Sequence, residues 1–167
     1  LIQQARALGL QGKHEKAIAQ LKQALAIDPE NHHAHYYLGV TYTSLGKHAL
    51  AIQEFRMVLE QAPNSYTTLD NIGGIYLVQK RFQLAKTMFE QSKRIEPSEN
   101  PLSHYNLGLL YTYYGQRDKA QQEYDFLRAH FPSYASLLEE AMKKGKAVFD
   151  DVALANTDHP LPSQSEP

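Results

Sequence analysis

The chain has no cysteine. Disulfides, thiol catalysis and cysteine-based zinc sites are thereby excluded, while reducing and oxidising compartments both stay open. Neither sign of charge is in excess: 17 Lys and Arg stand against 18 Asp and Glu, a formal net charge of −1. A protein built to neutralise phosphates shows a basic excess or stripe, so nucleic acid is not an expected partner. No apolar run approaches the roughly 18 residues needed to cross a bilayer, so direct membrane insertion of this segment is not expected. A Gly-rich phosphate loop, a nucleophile elbow and an HExxH pattern are also missing. Adjacent acidic pairs such as Glu139-Glu140 and Asp150-Asp151 would point in different directions on a helix and read as solvated charge. The expectation is a protein that is not an enzyme and carries no cofactor. At 167 residues and 43% hydrophobic, the chain suffices for one well-buried domain. It starts at Leu1, in mid-pattern and without methionine, so a fragment or processed product is expected. The compartment is left undetermined, with the cytoplasm favoured over the periplasm.

What is present is a repeat. Leu38-Gly39, Tyr42, Ala51, Phe55 and Pro63 return 34 residues later as Ile72-Gly73, Tyr76, Ala85, Phe89 and Pro97. They return again after 35 as Leu107-Gly108, Tyr111, Ala120, Tyr124 and Pro132, and a weaker first copy reads Ala5, Leu8, Ala17, Leu21 and Pro29. A period of this length spells a stack of helical hairpins. Each copy divides into two helix-period segments: about 1–10 and 14–27, 32–45 and 48–61, 66–79 and 82–95, 101–114 and 117–130. Gly12, Gly46 and Gly115 break the chain inside a copy, and Pro29, Pro63, Pro97 and Pro132 break it after one. Asn31, Ser65 and Asn100 stand at N-cap positions, with Pro101 at the first helical position.

Packing explains the pattern. Gly39, Gly73 and Gly108, opposite Ala51, Ala85 and Ala120, are expected to let two backbones approach closely. Tyr42, Tyr76 and Tyr111, with Phe55, Phe89 and Tyr124, then fill the space beside that contact. A mid-helix glycine costs roughly 1 kcal/mol against alanine, and close approach would offset it. After Pro132 a half-polar helix over 133–147 would cover the open end of the stack, with Tyr134, Leu137, Leu138, Ala141 and Met142 as its apolar residues. Residues 148–167 form an extension in which Val148, Phe149, Val152 and Leu154 are apolar, and the polar, proline-rich tail from about 157 reads as disordered.

These residues resemble the tetratricopeptide repeat (TPR), and the resemblance covers about residues 1–132 with the closing helix to about 147. The repeats run about 1–31, 32–65, 66–100 and 101–132. One departure stands out: the family often has tryptophan three residues before the leucine of Leu-Gly, where this chain has His35, Leu69 and His104. The last repeat, with Asp118-Lys119-Ala120 leading to Tyr124, Leu127 and Pro132, is more similar to bacterial members than to eukaryotic ones. The resemblance implies an all-α, right-handed superhelical solenoid of about four helix-turn-helix hairpins plus a C-terminal capping helix. It also implies a concave groove lined by the first helices, in which family members hold a peptide or helix of a partner as adaptors, co-chaperones and assembly factors.

Placed on this chain, the groove would carry Arg6, Tyr36, Tyr37, Val40, Asp70, Asn71, Gly74, Leu77, Tyr105, Asn106, Leu109 and Tyr113. Its character is aromatic and, apart from Arg6 and Asp70, uncharged. Tyrosine offers large contact area with one polar handle and loses little rotamer freedom, which suits an interface. Asn71 and Asn106 would hydrogen-bond a ligand backbone, as asparagines at this site do in some relatives, and Gly74 would leave a notch. The alternative is that several of these tyrosines pack between neighbouring first helices. The carboxylate clamp that family members turn on chaperone tails is not expected, because Ile2, Thr67 and Asn71, or Tyr36, Leu102 and Asn106, stand where its basic residues should be. His32, His33 and His35 invite a metal reading, but lack a third and fourth ligand; His35 reads as packed and the other two as solvated.

The function expected is a protein–protein interaction scaffold or adaptor that binds a partner peptide or helix in the groove, in the assembly of a multiprotein complex. Two alternatives remain. One is the recruitment domain of a larger enzyme or sensor truncated at its N-terminus. The other is a self-associating scaffold, a homo-oligomer in which the apolar 148–154 segment docks in a neighbour's groove.

Overall fold

The computed structural model describes residues 1–96 and 100–150; Pro97 and the tail that reads as disordered lie outside them, as do Val152 and Leu154. Among the described residues there are nine α-helices and no strand. They are α1 (Ile2–Leu10), α2 (His14–Ile27), α3 (His32–Ser44), α4 (His48–Gln61), α5 (Tyr66–Val78), α6 (Phe82–Ile95), α7 (Pro101–Tyr113), α8 (Arg117–His130) and α9 (Pro132–Lys144), followed by a 3-10 helix, Gly145–Phe149. Helices α1 to α8 form four hairpins that stack in chain order, an all-α repeat solenoid. Each boundary of these eight helices falls within a residue of the one the periodicity predicts, whereas α9 ends at Lys144, short of the 147 expected. Helix α9 starts one residue early, at Pro132, because proline's fixed φ suits the first helical position, where no amide donor is needed.

Each hairpin turns through one residue in the left-handed region. Gly12, Gly46 and Gly115 serve three copies, at φ 72°, 67° and 69°, and Lys80, at φ 56°, serves the third. The backbone path is therefore the same in all four, although one copy lacks the residue that adopts it without steric cost. Caps follow the sequence in two cases of three. The Asn31 side chain accepts from the Ala34 amide at 3.0 Å, and that of Asn100 accepts from the amides of Leu102 and Ser103. Ser65 sits at the N-cap of α5 without capping it, since its hydroxyl lies 2.8 Å from that of Thr68.

The repeat glycines do their work differently from the sequence expectation. Added to Gly39, a Cβ would lie 2.7 Å from a ring carbon of Phe55, and on Gly73 it would lie 2.7 Å from one of Phe89. The glycine thus makes room for an aromatic ring laid flat on the first helix, more than for the facing alanine. Gly108 departs from the pattern. Its neighbour is Leu138 of α9, while Tyr124 stays half-buried. Helix α9 supplies the filling side chain from outside the hairpin.

The first helices approach one another along one side, through α1–α3, α3–α5 and α7–α9, whereas α2, α4, α6 and α8 make no comparable approach. The first helices α1, α3, α5 and α7 make up this inner row, and they carry the candidate groove residues.

Helix α9 ends at Gly145, φ +60°, and the 3-10 helix turns back onto α7 and α9. Val148 and Phe149 are buried within the chain's own core. The expectation that an apolar segment starting at Val148 reaches into a neighbouring copy is therefore corrected for these two residues: they satisfy their burial in cis. No described helix is long and apolar enough to cross a membrane.

Candidate partner-binding groove

The inner row starts at α1. Arg6 is exposed, and its guanidinium lies 6.0 Å from the ring centre of Tyr37. On α3, Tyr37 meets Tyr36 edge-on at 5.5 Å, and Tyr36 leans on Phe55 at 6.0 Å, so one tyrosine couples the surface to the core. Asn71 of α5 donates from Nδ2 to the Tyr36 hydroxyl at 3.3 Å, a bond that joins two successive first helices. Val40 and Asn106 are half-buried, and Gly74 has open space where a side chain would stand. Tyr105 of α7 meets Tyr134 of α9 at 5.9 Å in a T-shaped pair. Burial pushes the phenols of Tyr36, Tyr105 and Tyr134 above their ordinary range, so each stays a neutral hydrogen-bonding group.

Not all of the predicted residues share this surface. Leu77 and Leu109 are 8% and 6% exposed and belong to the buried cluster of the last two repeats. Tyr113 is half-buried against Phe82, at 4.7 Å, and Phe149, at 5.5 Å. Asp70 is turned into the framework. Its Oδ2 accepts from Asn100 Nδ2 at 2.7 Å, the same amide nitrogen donates to Ser92 Oγ at 2.9 Å, and Ser92 donates to the Tyr66 carbonyl. Since Asn100 also caps α7, one buried amide ties α5, α6 and α7 together.

Tyr134, Phe82 and Phe149 were not among the residues predicted for the groove. The signal for Tyr134 was its place on the apolar side of the capping helix. Nothing in the repeat pattern points to Phe149.

The Asp70 carboxyl has an energetic consequence. Burial pushes it up to about 6 from an ordinary 3.8, against the lowering effect of the Asn100 and Ser92 hydrogen bonds, and Oδ1 has no partner among the described residues. Between these two values the unfolded chain has released a proton that the folded chain still holds. Stability therefore falls as pH rises through this window, and the cost is present in full above it. Asp70→Asn keeps an acceptor for Asn100 and removes the charge. Relative to the parent it is expected to gain about 1–3 kcal/mol at pH ~7.5 and to lose that gain toward pH ~4. Urea midpoints of both proteins at the two pH values check this; a difference that does not change with pH would contradict it.

His32 and His33 are exposed. His35 has both ring nitrogens engaged, Nδ1 at 2.7 Å from Glu54 Oε2 and Nε2 at 2.9 Å from the Pro29 carbonyl. Among the described residues no three His, Cys, Asp or Glu are placed to hold a metal ion.

A family model described as "Tetratricopeptide repeat" matches residues 2–66. Among solved structures, the chain is similar to the Pseudomonas aeruginosa protein pilF at 25% identity, with a TM-score of 0.73 over 96% of this chain and 76% of that one. It is similar to MamA at 21% identity, with a TM-score of 0.69 over 89% and 90%. A mutant O-GlcNAc transferase of Thermobaculum terrenum is also similar, at 18% identity and a TM-score of 0.67, over 77% of this chain but 25% of that one.

Proposed function

Because this chain is a member of the tetratricopeptide-repeat family, we propose that it is a non-enzymatic scaffold that holds a peptide or helix of a protein partner along its first helices, as a step in assembling a multiprotein complex. A protein-interaction role is what the repeat fold supports. The finer reading is carried by one observation, the row of half-buried tyrosines and asparagines from Tyr36 through Asn71 to Tyr105 and Asn106. Rings held by their neighbours have little rotamer freedom left to lose on binding, and neutral amides beside them suit a ligand backbone. With Asp70 bonded inward, Arg6 is the one charged group of the predicted set that faces solvent. The ligand surface it suits is apolar or mixed, with little charge.

The test is capture of partners from the native source by the parent chain and by a variant carrying Tyr36→Ala, Asn71→Ala and Tyr105→Ala. These residues are half-buried, so the variant is expected to stay folded by circular dichroism and to lose its partner by tenfold or more, roughly the sum of a few interface contacts. A folded variant that keeps its partner would overturn the groove reading. A second reading, recruitment region of a larger enzyme, is supported by the transferase, of which this chain matches 25%. The gene sequence flanking this segment separates the two.

A further inference from the structure

The end of the inner row is occupied by the chain itself. Gly145 turns the backbone at the end of α9, Lys146 and Ala147 face solvent, and Val148 and Phe149 enter the core at 6% and 4% exposure. The Phe149 ring stacks on Phe82 at 4.7 Å with 22° between planes, and meets Tyr113 at 5.5 Å, edge toward face. Phe82 and Tyr113 are themselves 4.7 Å apart. They come from different repeats, the first residue of α6 and the last of α7, so the solenoid builds this seat without help from the segment that fills it. Tyr113 also stands four residues beyond Leu109 and eight beyond Tyr105, on the same face of α7. Leu109 between them is buried, so the seat would extend the row that ends at Tyr105 only once Phe149 has left it.

The segment is a single short 3-10 helix beyond a left-handed glycine, and its last backbone bond runs from the Asp150 amide to the Ala147 carbonyl. Short 3-10 segments at chain ends, with few backbone bonds, belong to the part of a fold that opens first. Two apolar side chains on such a tether are what a partner peptide would present to the same seat.

We propose that the Phe82–Tyr113 seat is a binding pocket for an aromatic side chain of a partner peptide, and that Phe149 fills it in the free chain. The inference rests on the groove reading, since Tyr113 is one of the residues predicted for the groove, and it adds the ligand's chemistry: an aromatic residue next to an aliphatic one. Partner binding at the seat releases residues 145–150.

The probe is a fluorescein-labelled synthetic peptide with the sequence of residues 145–150, titrated into the full chain and into its Phe149→Ala variant. The variant, with its seat open, is expected to bind at least about tenfold more tightly than the parent. Binding should vanish when the peptide's own phenylalanine is alanine, or when Tyr113→Ala is added to the variant. Equal binding by parent and variant, or indifference to the peptide's phenylalanine, would overturn the proposal. Should Phe149→Ala fail to fold, hydrogen exchange on the unmodified chain decides. Amides of 148–150 should exchange at least about tenfold faster than those in the middle of α7, and exchange in step with α7 would mean that the segment does not open apart from the rest of the fold, which overturns the proposal. The peptide assay uses no native partner. Its failure alongside a groove-sensitive partner leaves the groove reading standing, and the converse result leaves only the seat.

Discussion

Phe89→Ala is expected to destabilise the chain by about 3–5 kcal/mol, the range for emptying an aromatic site in a closed core. The ring has no exposed surface, and it rests on the backbone of Gly73, where an added Cβ would stand 2.7 Å from it. Ring and glycine are one device, so the complementary change, Gly73→Ala, overpacks the same contact and is expected to cost about 1–3 kcal/mol. The next residue supplies the control. Gly74 has nothing within 4 Å of where its Cβ would be, and Gly74→Ala is expected to raise stability by about 0.5–1 kcal/mol through helix propensity and a more restricted unfolded chain. Two adjacent glycines in one helix thus respond with opposite signs. Joining Gly73→Ala to Phe89→Leu should cost less than the two separate changes added together, because the smaller side chain yields the space that the methyl takes. Urea denaturation of the parent and the five variants, Phe89→Leu alone among them, checks the set, and Gly73→Ala no worse than Gly74→Ala would refute the account. Gly39 and Phe55 offer the same test one repeat earlier, with the same 2.7 Å approach.

That device was legible in the sequence only in outline. Period, helix bounds, turn positions and two of the three caps follow from spacing and residue type, because every copy solves the same local problem. What spacing cannot reveal is which partner a side chain finds once copies differ. Gly108 looks like Gly39 and Gly73, yet Leu138 fills its notch, since the last repeat packs on a capping helix instead of another hairpin. The hairpin turn needs a left-handed residue in every copy, and in the third Lys80 takes that conformation although its type argues against it. Asp70 stood in the groove register and read as a charged ligand contact. Asn100, thirty residues on, draws it inward by a hydrogen bond that no local pattern encodes. The candidate groove follows the same rule. Its tyrosines were placed by register, while the burial of Leu77 and Leu109 in the core and the packing of Phe149 on Phe82 and Tyr113 rest on neighbours in other elements, which register does not name.

Glu123→Ala is expected to cost about 3–5 kcal/mol, the range for removing one partner of a buried ion pair. Its carboxylate is 5% exposed and bridges two elements, with Oε1 at 2.7 Å from Lys93 Nζ of α6 and Oε2 at 2.6 Å from Nδ1 of His104, which is stacked on Phe126 at 3.8 Å. Lys93, with a third of its side chain exposed, can turn to water when the carboxylate is lost, but the His104 ring at 3% cannot, and it keeps a polar nitrogen facing a cavity. The chain contains its own comparisons, because the same two sites recur 19 residues apart in each copy. The second repeat has His35 and Glu54 at 2.7 Å, with the carboxylate 16% exposed and no lysine on it, so Glu54→Ala should cost less, about 1–2 kcal/mol. The third repeat has Leu69 and Met88 in these places. An apolar pair therefore fits the site without any change of fold, and joining His104→Leu to Glu123→Met is expected to recover most of what Glu123→Ala loses, since well-packed apolar residues often replace a buried ion pair at little cost. Chemical denaturation of the single and double variants measures this. A double variant as unstable as Glu123→Ala would mean that the fourth repeat needs the charge itself, and that the histidine at the tryptophan site is more than a packing residue held in place by its carboxylate.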